Sequence, residues 1–193
     1  MASFAFSHAN YSTAGTARRG YDVVGQDIAS SMIDLARERA SAEVEGRLSF
    51  ICGDFESGGF VDEFDAVIFD CLHHAEDERA AIASAYRALK PGGVLIAHEP
   101  GEGHSTAPGL IEAMRLYGVA ERDMPPHLIW RHAQEIGFRS FRVFPMLQEL
   151  LEVFYHQPPL KTLRKGWRHR AKRIWKMAFA PSDRASAIMV LMK

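Results

Sequence analysis

"ALKPGGVLIAHEPGEGHS", residues 88–105, joins the end of a helical pattern to a Pro91-Gly92-Gly93 turn, and then to an apolar run that stops on His98 and Glu99. Proline drives the residue before it out of the helical region, so the turn marks a boundary. Upstream, "EDERAAIASAYRALK" (76–90) carries acids in its first turn and bases in its last, which suits the helix dipole and predicts a helix. "GVLIAHE" (93–99) then reads as a strand covered on both faces. In an open parallel sheet, ligands sit beyond the carboxyl ends of the strands. A strand that turns polar only at that end is therefore expected to face a cleft.

The same alternation extends in both directions. "YDVVGQDI" (21–28), "LSFICGD" (48–54) and "FDAVIFD" (64–70) read as strands. "ASSMIDLARERA" (29–40) reads as a helix with Ser30 or Ser31 available as its cap. Residues 109–119 and 127–136 are expected to be helical, with Pro126 suited to starting the second of these. Strands are expected at 138–145 and 185–193. "ASFAFS" near the amino terminus fits a central strand by pattern. Strands alternating with helices imply an α/β fold with a mostly parallel sheet. The strand ends then supply candidate site residues: Asp27, Gly53, Asp54, Asp70, Cys71, His98 and Glu99.

With 193 residues and 47% hydrophobic content, the chain can bury one full core, so residues 1–193 are read as a single domain. Cys52 and Cys71 form no CxxC pair, which points to a reducing compartment. No apolar run approaches the roughly 20 residues of a membrane span, and the expected location is cytoplasmic. The net charge of -1 conceals an asymmetry: residues 1–152 carry -10 and residues 153–193 carry +9. Within the basic amphipathic segment 153–184, residues 160–178 place Leu160, Leu163, Trp167, Ala171, Ile174, Trp175 and Ala178 at helical spacing. An apolar stripe on a cationic helix suits peripheral membrane contact; packing of that stripe on the sheet is the alternative. No nucleic-acid motif is present, and nucleic acid ranks last among partners.

In order along the chain, "ARRGYDVVGQDI", "SMIDLARERA", "ICGDF", "FDAVIFDCLHHAED" and "ALKPGGVLIAHEP" resemble the class I S-adenosylmethionine-dependent methyltransferases over about residues 17–145. The resemblance implies a Rossmann-like sheet with helices on both faces and an antiparallel final strand, and S-adenosylmethionine as cofactor. It implies that Asp27 binds the ribose hydroxyls and that Ile28 and Met32 flank the adenine. Asp54 would take the adenine amino group beside Gly53 and Phe55, with Asp70 and Cys71 completing the cofactor side. The family's glycine-rich first loop should fall on about Phe4 to Asn10, and "FAFSHAN" contains no glycine. Residues 1–16 thus form an atypical amino terminus, and the cofactor is expected to bind weakly or not at all. Two further readings follow from this gap: a truncated or degenerate fold without catalysis that acts as a binding protein, and, third, a nicotinamide-dependent oxidoreductase.

For the chemistry, His73, His74, His98 and His104 follow the fourth and fifth strands, and an imidazole titrates near neutral pH. His74 or His98 is expected to serve as general base, with Glu99 orienting it or accepting a substrate hydrogen bond; alternatively, the His73-His74 pair caps the following helix. The methyl acceptor is expected to be an oxygen of a small molecule or glycan. Four histidines with Glu99 and Glu102 permit a divalent ion, but their spacing matches no standard ligand pattern, so uncoordinated cleft residues and no metal are expected. Cys71 reads as a pocket wall rather than a nucleophile. "EPGEGHS" (99–105) reads as a lid.

Overall fold

A computed structural model describes residues 3–6, 11–40, 46–145, 167–168, 171–172, 175 and 186–193. Its sheet has the order β3-β2-β1-β4-β5-β7-β6. The strands are β1 (Ser3–Phe6), β2 (Asp22–Asp27), β3 (Leu48–Cys52), β4 (Phe64–Phe69), β5 (Leu89–Glu99), β6 (Ser140–Pro145) and β7 (Ala187–Met192). β1 to β5 pair in parallel, and β7 runs antiparallel between β5 and β6. The helices are α1 (Tyr11–Arg18), α2 (Ser30–Arg39), α3 (Glu78–Ala88), α4 (Pro108–Tyr117) and α5 (Pro126–Ile136). This is the expected Rossmann-like arrangement with an antiparallel last strand.

β1 lies at the centre, hydrogen-bonded to β2 on one side and β4 on the other. The chain leaves β1 toward β2 and β3, then returns across it to β4 and β5. That reversal opens a crevice beyond the carboxyl ends of β1 and β4. Residues 7–10, the last four positions of the expected glycine-rich loop, lie outside the described residues.

The main core sits between the β4, β5 and β7 side of the sheet and the helices α3 and α5. It includes Phe64, Phe69, Leu72, Ile82, Leu89, Leu95, Ile129, Met189 and Leu191. Strand alternation decides what each face receives. In β5, Leu95, Ala97 and Glu99 point into this core, while Val94, Ile96 and His98 lie on the other face and are only partly covered.

Several boundaries shift from their expected positions. The helix expected at 76–90 runs from Glu78 to Ala88, with Asp77 as its cap accepting a hydrogen bond from the Ala80 N–H. It ends before the Pro-Gly-Gly turn because Leu89 is already extended, fully buried and paired with Phe64. α2 is preceded by Ala29 instead of a capping serine; the Asp27 carboxylate accepts the Ala29 N–H. Most of 160–178 lies outside the described residues. Within it, Trp167, Arg168, Ala171, Lys172 and Trp175 are helical and solvent-exposed. Among the described residues no helix is long and apolar enough to cross a membrane.

Candidate active site

Parallel pairing brings the ends of β2, β3, β4 and β5 to one edge of the sheet, with β1 between β2 and β4. On the β2 side, Asp27 is buried, and its Oδ1 lies 2.9 Å from the Ala29 nitrogen. The Gly53 N–H donates to the Asp27 carbonyl at 3.0 Å, which locks the turn after β3 onto the end of β2. Asp54 folds its own loop by accepting the Glu56 N–H at 2.8 Å. Beside these carboxylates the surface is apolar: Ile28 is 71% exposed and Met32 36% exposed. Phe55 packs inward, its ring 5.5 Å from that of Phe69.

On the β4 and β5 side the two faces diverge. Phe69 pairs with Ala97, so the next residues, Asp70 and His98, are lateral neighbours. Their side chains meet at 2.7 Å between Asp70 Oδ1 and His98 Nδ1, both partly exposed. This hydrogen bond, with smaller help from the charges of Asp70 and Glu99, raises the His98 pKa above its ordinary value against the effect of burial.

Glu99 is 1% exposed and points the other way. It accepts hydrogen bonds from the Leu72 N–H (2.8 Å) and the His73 N–H (3.1 Å), and its Oε2 lies 2.7 Å from His73 Nδ1. Glu99 therefore orients His73 and neither His74 nor His98. The reason is the two-residue period of β5, which places consecutive side chains on opposite faces. Cys71 is a buried free thiol preceding the short 3-10 turn Leu72–His74. His74 Nδ1 donates to the Ala120 carbonyl at 2.7 Å.

The sequence and the fold resemble those of known proteins. A family model described as methyltransferase domain matches residues 9–97. The ubiquinone/menaquinone biosynthesis C-methyltransferase of Methylobacterium nodulans is 36% identical over 105 residues, covering 53% of this chain and 39% of that protein. Two solved structures share the fold. The S-adenosylmethionine-dependent methyltransferase of Mesorhizobium loti superposes with a TM-score of 0.67 at 15% identity, covering 100% of this chain and 90% of the other. Phosphoethanolamine N-methyltransferase 2 of Haemonchus contortus, solved with S-adenosyl-L-methionine, gives 0.65 at 19% identity, covering 98% and 47%. Residues 9–97 thus match a methyltransferase domain, and the chain has the fold of these two enzymes. It spans less than half the length of the Methylobacterium relative.

The segment 120–124 organises the loops after β4 and β5, a role that sequence reading missed. The Arg122 N–H donates to the His73 carbonyl and the Met124 N–H to the Pro100 carbonyl, stitching the loops after β4 and β5 together. Asp123 accepts the Gly103 and Ser105 N–H groups, each at 2.8 Å. Those backbone bonds hold its pKa below the usual carboxylate range. The loop read as a lid is thereby clasped to the segment before α5. Glu121 faces three histidines, lying 2.9 Å from His104 Nε2 and 3.9 Å from both His73 Nε2 and His74 Nδ1. In "ERDMPP" (121–126) the available signal was a pair of acids just ahead of a proline-started helix.

Proposed function

We propose that this domain binds S-adenosylmethionine across the ends of β2 and β3 and transfers its methyl group to an oxygen of a small molecule or glycan held beyond β4 and β5. The observation that carries this reading is the buried Asp27 carboxylate beside exposed Ile28 and Met32, on the opposite side of β1 from the Asp70–His98 pair. The donor set fits the cofactor: a carboxylate can accept from a ribose diol, and the aliphatic surface next to it can cover one face of a purine. When bound, the cofactor supplies an electrophilic methyl on a sulfonium.

The chain's own residues then need to position a nucleophile and remove a proton. His98 suits the second task. Asp70 holds its Nδ1, so Nε2 is left to accept a proton from a hydroxyl. Asp70 also stabilises the imidazolium that results, as a carboxylate partner does in other acid–base pairs. His74 is less suited, because its Nδ1 is committed to the Ala120 carbonyl. The two relatives' names cover carbon and nitrogen acceptors. The oxygen assignment therefore rests on the His98–Asp70 pair and not on the relatives.

The test is formation of S-adenosylhomocysteine by the full chain with a panel of hydroxyl-bearing small molecules and glycans. His98→Ala should lower kcat by about 10²–10⁴, the usual contribution of a general base. Turnover with hydroxyl acceptors that is unchanged in His98→Ala overturns the assignment of the base. Cofactor binding with no acceptor turnover across the panel favours a binding protein on a methyltransferase fold.

A further inference from the structure

From the arrangement of His73, His74, His104 and Glu121 we infer that the acceptor side holds a divalent cation of zinc-like preference, bound by imidazole nitrogens and one carboxylate. One ligand atom from each of His73, His74 and Glu121 lies within 4.8 Å of the others. His104 Nε2 joins them at 2.9 Å from Glu121 Oε2. The rings crowd around the same point, with centroids 4.1 Å apart for His73 and His74 and 5.4 Å apart for His73 and His104.

Clustering alone would not distinguish a metal site from a hydrogen-bonded knot; the outer partners do. Histidines that bind metals almost always donate their other ring N–H to a carboxylate or a backbone carbonyl, which fixes the tautomer. Both arrangements occur here. His73 Nδ1 faces the buried Glu99 carboxylate at 2.7 Å, and His74 Nδ1 faces the Ala120 carbonyl at 2.7 Å. A carboxylate and a carbonyl only accept, so each Nδ1 carries a proton, and in a neutral ring Nε2 is left as the ligand atom. His73 Nε2 faces Glu121 Oε2 across 3.9 Å. That gap is too long for a direct hydrogen bond and leaves room for an ion between the two atoms.

The charge balance points the same way. Glu121 is only 10% exposed in its side chain, and among the described residues its ion-pair partners are histidines alone. A largely buried carboxylate needs compensation, because burying an unpaired charge is costly. A divalent ion removes that cost. Imidazole-rich ligands favour zinc, cobalt or nickel over magnesium or calcium, which prefer oxygen alone. The spacing along the chain matches no standard pattern because the ligands come from three separate segments, after β4, after β5 and before α5, held together by the backbone bonds of Arg122 and Met124 and by the Asp123 carboxylate. A cation there lies on the side assigned to the acceptor and suits an oxygen ligand such as a hydroxyl, carboxylate or phosphate. The site itself does not depend on the methyl-transfer reading.

The experiment is titration of the full chain, stripped with a chelator, with cobalt(II), followed by its visible absorption and then displaced with zinc. One equivalent should bind, with the intense absorption of a site of low coordination number, and zinc should raise the melting temperature. Glu121→Gln and His104→Ala should each weaken binding by tenfold or more. Glu99→Gln, which removes no ligand atom, should weaken it about 10–100-fold through the tautomer of His73. Unchanged affinity in both Glu121→Gln and His104→Ala, with native circular dichroism, places the ion elsewhere and overturns the inference. So does the absence of cobalt absorption and of a zinc-induced melting shift in the unaltered chain. Binding of S-adenosylhomocysteine, measured in parallel, separates loss of this site from failure of the cofactor reading.

Discussion

His98 and Glu99 are adjacent in the chain but serve different faces of the sheet. The sequence displayed both as polar residues at a strand end, and the period of a strand already implied that they could not act on the same target. What no local pattern disclosed was the partner of each. His98 meets Asp70 from the next strand, and Glu99 meets the backbone after β4. Asp70 raises the His98 pKa, so His98 becomes available as a base only above its raised value. Replacing Asp70 with Asn removes the hydrogen bond that is the largest cause of that shift. The acidic limb of the kcat/KM profile should therefore move to lower pH in Asp70→Asn, and the maximal rate should fall. An acidic limb that stays in place would show that His98 is not the titrating base.

At the scale of the element, α3, its turn and β5 were the most legible part of the chain. Asp77 caps the helix, acids open it, and Pro91-Gly92-Gly93 marks the change of direction. The strand nevertheless begins before the turn, at Leu89, because burial of that side chain and pairing with Phe64 outweigh the pull of the helical pattern. Gly93 shows why the turn needs its second glycine. A Cβ at this position would lie 2.9 Å from the Lys90 carbonyl oxygen and 3.1 Å from that of Asp65, both backbone atoms that cannot step aside cheaply. Gly93→Ala should destabilise the domain by about 1–3 kcal/mol, the usual cost of overpacking, as read by urea unfolding. A loss below about 0.5 kcal/mol would show that the β4–β5 junction has slack.

For the whole molecule, the succession of strands and the polar residues that close them were readable, because each strand and its closing acid lie within a few residues of each other. The cluster beyond β4 and β5 was not readable. Glu121 is far in sequence from His73 and His74, and only tertiary contacts bring them together. The amino-terminal strand depends on a similar long-range clasp. Asp65 Oδ2 accepts from the Ser3 N–H at 2.7 Å and from Lys90 Nζ at 2.8 Å, joining β1, β4 and β5. The Lys90 hydrogen bond leads in lowering the Asp65 pKa from 3.8 to about 2. A depressed carboxylate stabilises the fold above its unfolded value, and that contribution is lost as pH falls from 3.8 toward 2. The side chain is 40% exposed, so solvent screening keeps the Asp65–Lys90 pair within about 1 kcal/mol. Asp65→Asn should speed amide exchange in β1 at neutral pH while leaving β7 unchanged, and should flatten the acid limb of stability between these values. Equal protection of β1 in the variant would remove Asp65 as its anchor.

In the proposed function, the ends of β2 and β3 form a nucleoside site anchored by Asp27. Calorimetric titration of the full chain with S-adenosylhomocysteine, beside Asp27→Ala, tests it most directly. The account predicts measurable one-to-one binding, weakened about 10–100-fold in the variant, which is the worth of one charge-assisted hydrogen-bonding pair. Equal affinity in the two proteins, or no binding by the unaltered chain at millimolar ligand, would contradict it.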